Sequence, residues 1–259
     1  MDELLTYGLA MVMASPRLLG LHLAMPMFSD GAIPNRVRTG LSLSLGLFVM
    51  PLILGQGHPP TSVFSFAALA AKEIFLGFAF GFPFALFSWA AQSAGDLISF
   101  GSGASMSAFF DPVSHEEITP MGNLLKRYAE VLFFITGSYT LLLGALFESY
   151  RIWPVGSFYP NLGQSGIDFF TSAFGHYFGS AIMLAFPALT CMFMITFSMA
   201  LISRYVPQLN VFFLSMPLQC LAACFVMTLS FPIYAHLFKA HFAKTGEVLS
   251  TLRHVFANP

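Results

Sequence analysis

The chain is short of charge. Asp, Glu, Lys and Arg make up only 9% of its 259 residues, against 56% hydrophobic residues and a mean hydropathy of +0.74. A soluble globular domain carries about 25% charged residues, so a chain this poor in them cannot coat itself for water. The first expectation is a polytopic, all-α membrane protein. A surplus of one sign is missing too. Formal net charge is −1 and there is no Lys/Arg run, which excludes the electrostatic footprint of a nucleic-acid binder. Cysteine is scarce: Cys191, Cys220 and Cys224 all fall in apolar runs. Cys220 and Cys224 share a helical face, but CxxxC without a nearby His is a poor metal site, and packed thiols are the plainer reading. A basic leader is absent as well. "MDELLTYGLA" opens on Asp2 and Glu3, and Arg17 interrupts the apolar stretch, which is not the pattern of a secretory signal. No polar stretch is long enough to form a soluble domain, so residues 1–259 read as a single domain.

What is abundant is apolar sequence in long runs. A bilayer-spanning helix needs about 20 mostly apolar residues, and six segments qualify roughly: Leu4–Met27, Thr39–Leu54, Ile74–Gly95, Val131–Phe147, Thr171–Ser203 and Val211–Phe238. The second and fourth are short for a span and the fifth is long. Lys and Arg divide almost evenly between the two sides in either orientation, so the charge bias orients the chain weakly. Pro83, Pro187, Pro217 and Pro232 fall inside apolar runs, where each removes a backbone donor and bends a helix. Gly77–Gly81 and Gly175–Gly179 are both GxxxG, the spacing that lets helix backbones approach closely in lipid. Together these features suit a kinked bundle packed against other subunits.

Polar residues at depth are costly and therefore informative. Arg17 lies mid-segment, where an Arg costs about 2.5–3.5 kcal/mol on insertion scales, so it must pair, snorkel or leave the lipid. Lys72 and Glu73 mark the start of the third segment, and Asp96 follows its end. The stretch "ISRYVPQLNVFFLSMPLQ" joins two long charge-free runs. Pro207 disfavours helix at Val206, Gln208 and Asn210 offer side-chain partners to freed backbone groups, and Arg204 carries a five-donor fork. The plain alternative is a loop between two spans.

Catalytic patterns fail when examined. "HEEIT" has Thr119 where a zinc protease needs its second His, and "GSGAS" lacks the strand-to-helix context of a nucleophile elbow. Ser102 or Ser105 with His176 or His236 has no supporting spacing. His22, His58, His176 and His236 read as packed or interfacial. No enzyme activity, cofactor or metal is expected. "SMSAFFDP" presents Met106, Phe109 and Phe110 between a Gly/Ser-rich run and Asp111–Pro112. It reads either as an interfacial anchor or as an apolar plug that blocks a pore by dewetting.

Three blocks, in order, resemble one family. They are "RLLGLHLAMPMFSDGAIPNRVRTGLSLSLGLFVMP", "KEIFLGFAFGFPFALFSWAAQSAGDLISFGSGASMSAFFDP" and "RYVPQLNVFFLSMPLQ". The family is the T-type subunit of type III secretion export apparatuses, SctT or YscT in injectisomes and FliR in flagella; "LSMP" leans toward the injectisome branch. The resemblance implies a helical export gate built with R- and S-type sister subunits, together with U- and V-type components and the inner rod or needle base. It implies passage of unfolded secreted proteins. It places the chain in the bacterial inner membrane, multi-pass by hydropathy and raised toward the periplasm on assembly. By position in the motif, Ser102, Met106, Phe109, Phe110, Asp111 and Pro112 would form the plug loop. Arg204, Pro207, Gln208, Asn210, Phe212, Pro217 and Gln219 would form the subunit-packing joint, with Arg17, Glu73 and Asp96 as further polar assembly candidates. Gln219 departs from the family's usual Lys and removes a charge. A small-solute transporter is the alternative: Pro207–Gln208 resembles the PQ-loop carriers, but there is no second, corresponding segment.

Overall fold

The computed structural model describes residues 2–28, 33–55, 63–103, 119–157, 164–208 and 210–243. Among them all regular structure is helical: α1 (Asp2–Ala24), a 3-10 turn (Pro26–Phe28), α2 (Asn35–Leu54), α3 (Val63–Gly101), α4 (Pro120–Ile135), α5 (Ser138–Ile152), α6 (Gln164–Tyr205) and α7 (Val211–Ala243). Four of these are long and apolar enough to cross a membrane, or five spans if the broken pair α4–α5 counts as one. The chain is an all-α, polytopic membrane protein.

Local chemistry sets the helix ends. Pro34 precedes α2, and its carbonyl accepts the first turn's N–H groups from Val37 and Arg38. Thr119 caps α4: its side chain accepts from the Gly122 N–H at 3.1 Å, and Pro120 follows at the first helical position, where its missing donor costs nothing. Gly137, at φ +74°, separates α4 from α5. That left-handed backbone suits glycine, and it splits the single segment expected over Val131–Phe147. α6 stops at Tyr205, two residues before Pro207.

Prolines inside the helices do not end them. Pro16 lies within α1, Pro83 within α3, Pro187 within α6, and Pro217 and Pro232 within α7. At Pro16 the compensation is visible. Proline cannot donate to the carbonyl four residues back, and the Ser15 hydroxyl donates to that carbonyl, Val12 O, at 3.0 Å.

The chain divides into two compact units. The first takes in Met1–Leu86 and Gly137–Ala173, and its core is Met13, Ala14, Leu18, Leu21, Leu76, Leu142, Leu146 and Tyr150. Within it α1 and α3 touch backbone to backbone. A Cβ added to Gly77 would meet the Arg17 carbonyl carbon at 2.7 Å and Leu21 N at 2.8 Å; one on Gly81 would meet Leu21 O at 2.8 Å. This GxxxG is therefore spent inside the chain. The second unit takes in Phe87–Thr136 and Phe174–His241, with Ala90, Ala94, Ile98, Leu125, Phe133, Ala188 and Phe238 in its core. Gly175 and Gly179, the other GxxxG, have nothing within 4 Å of an added Cβ.

Candidate functional site

The first unit holds a cluster of charges with no access to solvent. Arg17 and Glu73 side chains are both 0% exposed. Arg17 Nε donates to Glu73 Oε2 at 2.6 Å and Nη2 donates to Oε1 at 3.0 Å, a two-pronged pair that matches the planar fork of the guanidinium. Nη2 also donates to the Trp153 carbonyl and Nη1 to the Ser149 hydroxyl. The Tyr150 ring lies under the guanidinium carbon at 4.0 Å, and its hydroxyl donates to the Ala14 carbonyl. Arg17 has therefore paired, one of the three outcomes open to it.

Lys72 completes the cluster. Its ammonium gives its protons to Glu73 Oε1 at 2.8 Å, to the Val155 carbonyl at 2.9 Å and to the Ser157 carbonyl at 2.8 Å. Two cations face one carboxylate, and the surplus positive charge lies on carbonyls at and just beyond the C-terminal end of α5. That is the negative end of the helix dipole. Lys72 and Glu73 thus do not mark where α3 meets water; they lie within it and tie α1, α3 and the exit of α5 together.

A neutral cluster stands beside it in the same unit. His22, fully buried, contacts Ser42 Oγ through Nδ1 at 2.8 Å and Tyr139 Oη through Nε2 at 2.9 Å. Ser42 gives its own proton to the Arg38 carbonyl. Its oxygen must therefore accept from Nδ1–H, which leaves Nε2 to accept from Tyr139. His22 is a packed residue that links α1, α2 and α5.

In the second unit Asp96 forms a clamp. Its Oδ1 accepts from the Thr119 hydroxyl at 2.7 Å, and Thr119 is the residue that caps α4. Gly95 and Gly122 permit this contact. A Cβ on Gly95 would strike the backbone at Met121, and one on Gly122 would strike the Asp96 carboxylate. Ser102 is buried and donates to the Ser99 carbonyl, and Gly103, at φ +73°, lies against Met216 of α7. The other residues expected in a plug, Met106, Phe109, Phe110, Asp111 and Pro112, lie outside the described residues.

The joint between α6 and α7 is surface. Arg204, Pro207, Gln208 and Asn210 are all exposed, as is Pro217 in α7. Phe212 stands in the first turn of α7. Gln219 differs: it is buried, and its amide donates to the Thr196 hydroxyl of α6. A neutral hydrogen bond, and no charge, ties α7 to α6 here. Among the described residues no group of His, Cys, Asp or Glu could hold a metal ion.

Compared with known families, residues 9–245 match the model described as bacterial export proteins, family 1. The chain belongs to this family. The Yop proteins translocation protein T of Yersinia pestis is 35% identical over 242 residues, covering 93% of this chain and 90% of the relative. The secretion system apparatus protein SsaT of Salmonella typhimurium is 30% identical over 232 residues, 88% of this chain and 89% of the relative. The flagellar biosynthetic protein FliR of Escherichia coli is 28% identical over 242 residues, 91% of each. Family membership makes the chain a subunit of a bacterial export apparatus and not an enzyme; none of these relatives supports a small-solute transporter.

Arg17, Glu73 and Asp96 stand out in the sequence, but the pairing of the first two and the other partners of all three do not. Ser149, Tyr150 and Trp153 carried one signal, a short polar and aromatic run ending an apolar segment. Thr119 carried another, standing directly before Pro120 as helix caps do.

Proposed function

We propose that the chain is the T-type structural and gating subunit of a type III protein secretion export gate. It works as one domain with R- and S-type sister subunits, next to U- and V-type components and the inner rod or needle base. The gate is in the inner membrane, raised toward the periplasm, and unfolded secreted proteins pass through it. The higher identity to the Yop translocation and SsaT relatives than to FliR supports the injectisome branch.

The observation that carries this reading is the joint. Arg204, Gln208 and Asn210 stand exposed between two helices apolar enough to span a membrane. These exposed donors and acceptors are free to meet protein partners outside the chain, which supports the reading. The loop at residues 102–112 acts as the plug, and the described residues that flank it are held by the Ser102 and Gly103 contacts on one side and by the Asp96–Thr119 clamp on the other. The buried Arg17–Glu73 pair acts inside the subunit, as the frame of the first unit.

The test is co-purification from detergent with the R- and S-type sisters. The complex is expected to form with the natural chain and to weaken with Arg204→Ala, and deletion of residues 101–110 is expected to make the assembled channel leak small ions. A chain that purifies alone and whose deletion leaves secretion intact refutes the proposal.

A further inference from the structure

Helices α6 and α7 do not close on each other along their whole length. Near one end of the pair they leave a groove of about 440 Å³, lined by Gly179, Met183 and Pro187 of α6 and by Ser230, Ile233 and Leu237 of α7. All belong to the second unit. Proline bends both helices here, Pro187 in one and Pro232 in the other. Gly179 brings no side chain to fill the gap, and nothing lies within 4 Å of a Cβ added there. The lining is almost all hydrocarbon, and the Tyr234 hydroxyl beside it is spent on the Leu184 carbonyl at 2.8 Å.

The dimensions of the groove choose its occupant. From Gly179 to Pro187 α6 rises about 12 Å, and from Ser230 to Leu237 α7 rises about 10 Å. One leaflet of a bilayer holds about 15 Å of hydrocarbon, so the groove is nearly one leaflet deep. Spread over that depth, the volume gives a cross-section of about 40 Å², half or less of what a helix 10–12 Å across occupies. A helix can lie over this groove but not in it; an acyl chain lies in it. The end of the groove carries a second observation. α6 and α7 qualify as spans over Phe174–Tyr205 and Phe213–Lys239, so Gly179 and Leu237 stand within two turns of the ends of both. Polar residues appear at that level. His176 precedes Gly179 by three residues, His236 adjoins Leu237, and Lys239 is the first cation after the charge-free run from Tyr205; all three are exposed. Each imidazole has an N–H to give even when neutral, Lys239 adds positive charge, and no Asp or Glu occurs from Phe169 to Phe238. An apolar slot that opens among donors and a cation at the edge of the membrane follows the order of a phospholipid, tail inward and phosphate outward. We infer that the α6–α7 groove binds a phospholipid with an anionic head group, one acyl chain lying in the groove and the phosphate at His176 and His236. The site belongs to the subunit itself and does not depend on the export-gate reading.

The test uses the full chain in dodecyl maltoside micelles with two probes that share one diazirine-bearing acyl chain, a phosphatidylglycerol and a diacylglycerol. The phosphatidylglycerol is expected to label residues 179–187 and 230–237 above Phe193, an exposed residue of α6 outside the groove. The diacylglycerol is expected to label them roughly tenfold less, the weight of a hydrogen bond to a charged group. His176→Leu combined with His236→Leu is expected to bring the first probe down to the yield of the second. Gly179→Leu places a side chain in open space and is expected to lower the groove label to the level of Phe193. Equal yields of the two probes in the natural chain overturn the inference, whether or not the variants fold. So does label spread evenly along the exposed faces of α6 and α7, or a groove label unchanged by Gly179→Leu. In the chain assembled with export partners the label is expected to persist; its loss there gives the groove to a protein partner and overturns the inference. Failure of the chain to assemble, with the groove label intact, refutes only the export-gate reading.

Discussion

Gly77→Ala tests the frame of the first unit with a single methyl group. In the native chain the Gly77 position lies against α1 backbone, and the added Cβ would stand 2.7 Å from the Arg17 carbonyl carbon, where ordinary contact begins at 3.4 Å. The obstacle is main chain and not a side-chain tip, so no rotamer change relieves it. α1 must retreat by roughly 1 Å. Arg17 is on the retreating turn, and its bonds to Glu73 at 2.6 and 3.0 Å stretch past hydrogen-bond range with both charges still buried. Overpacking costs about 1–3 kcal/mol, and a broken buried ion pair costs about 3–5 kcal/mol. Even partial loss of the pair brings the total to about 3–6 kcal/mol, a large share of the 5–15 kcal/mol typical of a whole protein. Gly175→Ala is the matched control. It is the same residue in the same GxxxG spacing, with nothing within 4 Å of the new methyl, and helix propensity makes it neutral or stabilising by up to about 1 kcal/mol. The assay is accumulation and protease resistance of the full chain in membranes, followed by the melting midpoint in detergent. Gly77→Ala is expected to lose accumulation and Gly175→Ala to keep it. Equal behaviour of the two variants refutes the close-contact argument.

Two further outcomes follow from the same frame. Glu73→Met is expected to cost about 3–5 kcal/mol, because it leaves Arg17 buried without a carboxylate, while Arg17→Met costs less because Lys72 still faces Glu73, and the double variant is less harmful than Glu73→Met alone; melting midpoints of the three chains measure this, and additive losses would count against it. Ser15→Ala removes the donor that answers the Val12 carbonyl beneath Pro16, an expected loss of about 1–3 kcal/mol. Combining it with Pro16→Ala, which restores the backbone donor, should recover most of that loss, and a chain indifferent to Ser15→Ala would show that the carbonyl finds another partner.

How far the sequence reveals this molecule depends on the range of the interaction concerned. Helicity and membrane character rest on local composition, and both are legible in the long charge-free runs around Arg204. The stop of α6 at Tyr205 is legible for the same reason, since Pro207 acts on its immediate neighbour. Partnership is not local. The cost of burying Arg17 can be read from its surroundings, but Glu73 lies 56 residues away and Trp153 136 away, and nothing near Arg17 names them. The length of α3 was hidden by the same ignorance. Lys72 and Glu73 look like an end that must meet water, yet they stand inside a 39-residue helix, because Arg17 and the carbonyls beyond α5 do there what water would have done. The two GxxxG pairs carry the point furthest. Gly77–Gly81 and Gly175–Gly179 are identical as motifs, but the first is consumed by α1 and the second is left open on α6. A small-residue pair states that a backbone can come close. Which backbone comes is decided by partners elsewhere in the chain, and here the close contact of α1 with α3 coincides with the Arg17–Glu73 pair that joins the same two helices.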